Sequence, residues 1–171
     1  YKPRWMAYPL GVGNEKQFLG EPILGGTYIP LNTFAWMADS TPAGGYTASF
    51  ERYADEIAII DELGTLTFRE VHERTNALAH GLQAAGIGAG DNVGLMCRNH
   101  RGFIDAVIAA SKVGASTLFL NTAFSGPQLA DVAQREKPKA LIYDHEFEEL
   151  IHDASRRRKR FIGWHDPEDG K

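Results

Sequence analysis

Arg98, Asn99, His100 and Arg101 are the densest group of polar and ionisable side chains here that follows an apolar strand. They sit between the run NVGLMC (Asn92 to Cys97) and a segment of helical periodicity. That places them at the carboxyl end of a strand, the edge where parallel α/β sheets gather ligands. Asn99, His100 and Arg101 are therefore candidate ligand contacts, although Asn99 would equally serve as a helix cap. Asn121, Thr122 and Phe124, after the run STLFL, occupy the next loop of the same kind and are candidates on the same ground.

Other chemistry-bearing residues point less far. The six histidines are scattered, with no pair at i, i+4 and no cysteine beside them, so no metal site is expected. The single Cys97 ends an apolar strand and reads as an inert core thiol. None of the glycine clusters GVG, AGGY and AGIGAGD is followed by the basic and hydroxyl residues that a phosphate cradle requires. Gly86, Gly88 and Gly90 follow a helix and precede a strand, the reverse of a dinucleotide fingerprint, so they read as turn glycines.

The run Arg156, Arg157, Arg158, Lys159 and Arg160 is the one strong local charge feature. Acids from Asp144 to Asp153 precede it, so a helix over this stretch would carry charge as its macrodipole prefers. A second reading of the run is a surface contact with anionic lipid or phosphate. Nucleic acid is not an expected partner, because the formal charge of −4 is unfavourable and no aromatic or Gly-rich motif accompanies the run.

The elements that position these residues follow from periodicity and punctuation. IAII and TLTF predict two short strands around a turn at Gly64. Thr67 with Glu70 forms a capping-box pattern, and Phe68, Val71, Leu78, Ala79, Leu82 and Ala85 line one face of the helix it opens, which Gly86 closes. NVGLMC predicts a strand, Phe103 to Val113 a helix and Ser116 to Leu120 a strand. Ser125 with Gln128 opens a further helix with Pro127 in its first turn. Lys139 to Tyr143 predicts a strand, and Glu146 to about Arg158 a last helix. Strands alternating with helices in this way predict an α/β fold with a parallel sheet, layered αβα, and a core of Leu78, Leu82, Leu95, Ile104, Ile108, Leu118, Leu129 and Ile142.

With 171 residues, 43% of them hydrophobic, the chain suffices for one core. No apolar run reaches the length needed to span a bilayer, and residues 1–11 lack the apolar stretch of a signal peptide. One free cysteine fits a reducing compartment. The expected location is cytoplasmic, with peripheral contact at the inner face of the membrane if the basic run binds lipid. Residues 1–48 differ in texture, being rich in aromatics and holding five of the eight prolines, and read as an arm that drapes over a surface. Thr41 to Phe50 reads as a linker into a helix near Phe50 to Ala54. Residues 49–171 form the α/β domain.

From about residue 50 to 165, the order LTFREVHERTNALAHGLQAAGIGAGDNV, an apolar strand, a helix ending KVGA and then LNT resembles the amino-terminal part of adenylate-forming enzymes. MCRNHRGF and LNTAFSGPQL are similar to bacterial long-chain fatty-acyl-CoA ligases within that superfamily. The resemblance implies a two-step ligase, in which ATP converts a fatty acid to an acyl-adenylate with release of pyrophosphate and the acyl group then passes to coenzyme A. It implies ATP, Mg²⁺ and CoA for the full-length enzyme. In the family the phosphates fall to a Ser/Thr/Gly-rich loop ending in Pro-Lys, with later Tyr-Gly-x-Thr-Glu, Asp and Lys elements. None of these is in this sequence, so the expectation is the first α/β subdomain of such a ligase, binding no cofactor and inactive by itself. Expected partners are the remainder of the ligase chain, its fatty acid and CoA, an anionic membrane surface, and a second copy in a homodimer. Two other readings stay open: a non-catalytic interaction module, and a flavodoxin-like small-molecule binder.

Overall fold

The computed structural model describes residues 41–165, so most of the expected arm lies outside the described residues. The chain divides between Tyr53 and Ala54 into two units. Of the first, the described part is helix α1 (Pro42–Tyr53). It starts earlier than the linker reading allowed. Thr41 Oγ1 accepts from the Gly44 N–H, and Pro42 opens the helix where its missing donor costs nothing, so Gly44 and Gly45 lie inside a helix instead of marking a linker.

The second unit begins with a hairpin of β1 (Ile57–Asp61) and β2 (Gly64–Thr67). Asp61 Oδ1 accepts from the Leu63 N–H, and Gly64 supplies the positive φ of 103° that the turn needs. Helix α2 (Phe68–Ala84) follows at once behind the expected capping box, with Thr67 Oγ1 accepting from the Glu70 N–H and Glu70 Oε2 accepting from the Thr67 N–H.

Four parallel strands then form the main sheet, in the order β4 (Ser116–Phe119), β3 (Asn92–Met96), β5 (Ala140–Asp144), β6 (Lys159–Trp164). Helix α3 (Arg101–Lys112) joins β3 to β4, and α4 (Gly126–Glu136) joins β4 to β5. The period of two along the strands sorts side chains to two faces. Val93, Leu95, Ala140 and Ile142 pack under Leu82 of α2 and Ala106, Ala109 and Ala110 of α3. Met96, Leu141 and Tyr143 pack under Leu129 and Ala133 of α4 with Phe147, Ile151 and Ala154. The architecture is αβα, as the alternation of elements implied. Of the expected core, Leu82, Leu95, Ile108, Leu129 and Ile142 are fully buried, while Leu78, Ile104 and Leu118 are half-buried.

The last expected helix does not form. His145–Phe147 is a single 3-10 turn, followed by a run of turns that mixes bonds of two lengths. Ile151 and Ser155 donate four residues back, but Glu148, His152, Arg156 and Arg158 donate three back. Phe147, Ile151 and Ala154 still bury at helical spacing, which is why the sequence reads as a helix. The chain tightens because it must end in a reversal, with Arg157 at φ 63°, and enter β6 at Lys159.

Candidate functional site

The chain leaves β3 for β4 on one side and returns to β5 on the other, so a topological switch point lies between the carboxyl ends of β3 and β5. The loop after β3 carries the candidates Asn99, His100 and Arg101. Asp144, the last residue of β5, organises that loop: its Oδ2 accepts from the Arg98 N–H at 2.6 Å and from His100 Nε2 at 3.0 Å. His100 also caps α3, with Nδ1 accepting from the Phe103 N–H at 3.3 Å. That acceptor role assigns the proton to Nε2, which donates to Asp144. His100, not Asn99, is the cap; Asn99 is exposed.

Three further contacts enclose this pair. Trp164 at the end of β6 stacks on the His100 ring, with centroids 4.5 Å apart. Arg98 forks onto both oxygens of Glu146 at 2.7 Å and lies over the Phe147 ring. Arg101 forks onto Asp61 and also donates to the Gly64 carbonyl, which ties the hairpin to the start of α3. The Arg101 guanidinium holds the Asp61 carboxyl down to about 2, and Arg98 lowers that of Glu146. Burial, reinforced by Asp144, pushes the Cys97 thiol up, which favours its protonated form.

Asn121, Thr122 and Phe124 lie on the loop after β4, at the same edge but across β3. Asn121 is exposed and its Oδ1 accepts from the Ala123 N–H, which shapes its own turn. Phe124 packs against the apolar layer under α4. The edge thus joins Arg98, His100 and Arg101 to partners that the sequence did not point to, Asp61, Asp144, Glu146 and Trp164, and leaves Asn99 exposed. A carboxylate closing the apolar strand KALIYD was the available signal for Asp144. Because Arg98, His100 and Arg101 are consumed in mutual pairing, the cluster positions two loops and a hairpin and exposes no activated nucleophile.

A model of the AMP-binding enzyme family matches residues 46–167, well over half of the chain. The chain belongs to this family. Among its relatives, a medium/long-chain-fatty-acid–CoA/3-oxocholest-4-en-26-oate–CoA ligase of Mycobacterium marinum is 30% identical over 97 residues, 57% of the chain and 18% of the ligase. A long-chain-fatty-acid–CoA ligase of Thermus thermophilus is 31% identical over 83 residues, 48% of the chain and 15% of the ligase. The chain therefore spans less than a fifth of the length of these curated relatives. Among solved structures, o-succinylbenzoate coenzyme A synthetase of Bacillus subtilis with AMP matches 69% of the chain and 30% of that enzyme, at TM-score 0.64 and 22% identity. A benzoate CoA ligase of Burkholderia xenovorans matches 71% of the chain and 25% of that enzyme, at TM-score 0.65 and 19% identity. These likenesses establish the fold as that of adenylate-forming ligases.

The helix starts carry local caps: Glu70 Oε2 accepts from the Thr67 N–H before α2, His100 Nδ1 from the Phe103 N–H in α3, and Gln128 Oε1 from the Ser125 N–H before α4. No group of three or more His, Cys, Asp or Glu among the described residues is placed to hold a metal.

The basic run lies at the opposite, amino edge of the sheet, and its members differ. Arg158 is half-buried and donates to the carbonyls of Ala133, Pro138 and Ala154, so it caps the carboxyl end of α4. Arg156 pairs with Asp153 and Arg160 with Glu148. Arg157 and Lys159 are exposed. The run is thus no helix terminus of its own, contrary to the macrodipole reading. Among the described residues no helix is long and apolar enough to cross a membrane.

Proposed function

We propose that this chain forms the first α/β subdomain of an ATP-dependent ligase that converts a medium- or long-chain fatty acid to its acyl-adenylate and then to the CoA thioester. The family match over residues 46–167 carries the reading, and the relatives named for fatty-acid–CoA ligation favour that substrate class. Adenylation replaces a poor leaving group with AMP and needs donors and a cation around the phosphates. Those groups, with ATP, Mg²⁺ and CoA, belong to the remainder of the ligase. The role of this subdomain is to present a rigid carboxyl edge, with loops held by Asp144 and Asp61, against that remainder. Arg156, Arg157, Lys159 and Arg160, at the amino edge, are the residues that would meet an anionic bilayer on the inner face of the cell membrane.

Two assays test this. The purified chain should give no ATP–pyrophosphate exchange above background with palmitate. The product of the complete reading frame should form acyl-CoA from fatty acids in preference to benzoate or o-succinylbenzoate. Preference for an aromatic acid would overturn the substrate class, and exchange by the chain alone would show a nucleotide site within it.

A further inference from the structure

Where α4 ends beside the turn that precedes β6 there is an open cavity of about 640 Å³, lined by Lys137, Arg156, Arg157 and Arg158, with Asp153 as its one carboxylate. That is a local reversal of the formal charge of −4 carried by the whole chain. The four cations are not equally committed. Arg158 is held by the carbonyls of Ala133, Pro138 and Ala154, and Arg156 pairs with Asp153 at 3.0 Å. Lys137 and Arg157 are exposed, and neither side chain has an ion pair or hydrogen bond among the described residues. Their charged ends are free to turn onto a guest in the cavity.

The backbone singles out the same two residues. Lys137, at φ 48°, and Arg157, at φ 63°, are the non-glycine residues with a left-handed backbone among the described residues. Glycine takes that conformation without strain, whereas a residue with a Cβ does not. Local preference therefore asks for glycine at both places, and both instead carry a long cation on the wall of one cavity. Such strain persists where a side chain has a task, and no partner within the chain supplies one. The carboxyl end of α4, whose partial negative charge would oppose an anion, is covered by Arg158. Two free cations from separate segments match a doubly charged guest. A carboxylate brings one charge, whereas a phosphate monoester brings nearly two at neutral pH and three acceptor oxygens. We infer that this cavity seats a phosphate group between Lys137 and Arg157, the monoester of a lipid headgroup or of a soluble compound. The seat is distinct from a diffuse bilayer contact, because Lys159 and Arg160 are not part of its lining, and it does not depend on the ligase reading.

Titration of the ¹⁵N-labelled chain with inorganic phosphate at constant ionic strength, with acetate as a singly charged reference, tests the seat. Phosphate should shift the amides of Gln134, Lys137 and Arg157 saturably, and acetate should bind about tenfold more weakly, the worth of one hydrogen bond to a charged group. Lys137→Gly and Arg157→Gly should each weaken phosphate by about the same factor. Both should leave the fold intact, since glycine adopts the left-handed backbone freely. Lys137→Arg, which keeps the charge, should retain binding. Lys159→Gln and Arg160→Gln each remove one charge of the same run outside the cavity, and should leave phosphate binding unchanged. Phosphatidylcholine vesicles containing phosphatidic acid separate the two sources. Vesicle binding lost in Lys137→Gly and Arg157→Gly assigns the seat to a lipid headgroup, and vesicle binding indifferent to both assigns it to a soluble ester. No saturable shift with phosphate, equal binding of acetate, or losses in Lys159→Gln and Arg160→Gln as large as those in the two glycine variants would each overturn the assignment.

Discussion

Asp144 holds one loop through two donors, the Arg98 N–H and His100 Nε2, and is 3% exposed. Asp144→Ala leaves the buried His100 Nε2–H and the part-buried Arg98 N–H without this acceptor, at about 1–3 kcal/mol for the buried one and less for the other. Urea unfolding should register that loss, and Asp144→Asn, which keeps one acceptor oxygen, should lose less. An unaffected Asp144→Ala midpoint would show that solvent reaches this pair. Asp61 gives a dependence on pH instead. Its folded value of about 2 lies below the ordinary 3.8, so its pairing with Arg101 stabilises the fold above that ordinary value and is lost as pH falls toward about 2. Glu70 and Glu146 are lowered as well and act in the same direction. Stability should fall steeply below pH 3.8, and in Asp61→Asn the fall should be shallower.

At the scale of elements, the segment from His145 to Arg158 does the work of a helix without being one, burying Phe147, Ile151 and Ala154 before reversing into β6. Arg158 secures that reversal by tying it to α4 through backbone carbonyls. Arg158→Gln should therefore cost about 1–3 kcal/mol, the range for losing hydrogen bonds from a charged donor, read as a lower thermal midpoint. The four other cations of the run make at most exposed ion pairs, which contribute little. Replacing Arg156, Arg157, Lys159 and Arg160 together with Gln should leave the midpoint nearly unchanged and abolish salt-sensitive co-sedimentation with vesicles containing phosphatidylserine. Near such a bilayer each cation contributes up to about 1 kcal/mol, screened beyond about 8 Å. Vesicle binding that survives the fourfold change would reject the membrane contact.

At the scale of the whole unit, two apolar layers share one sheet, with Leu82 in the layer under α2 and α3 and Leu129 in the layer under α4. Each is 1% exposed, so Leu82→Ala and Leu129→Ala should each cost about 2–5 kcal/mol. The sheet separates them, so the double variant should lose the sum to within about 0.5 kcal/mol. Denaturation of the three variants followed by tryptophan fluorescence and circular dichroism checks this, and two separate transitions would mean that the layers fold independently.

What the sequence determined by itself is whatever depends on neighbours a few residues apart. Thr67 with Glu70 and Ser125 with Gln128 mark helix starts because the bonds that make them capping boxes span three residues. Gly64 and Gly86 mark turns because only local backbone sterics decide a positive φ. The strand and helix periods were legible for the same reason, and with them the αβα class. The tertiary structure alone decided which side chains meet across the sheet. Asp144 reaches His100 over 44 positions, Asp61 reaches Arg101 over 40 and Arg158 reaches Ala133 over 25. Those pairings exist because β5 crosses back to lie beside β3, and a strand order of 4-3-5-6 is set by the burial of two apolar faces at once. For the same reason the capping role fell to His100 rather than Asn99, and the basic run was divided into one buried cap and four surface cations.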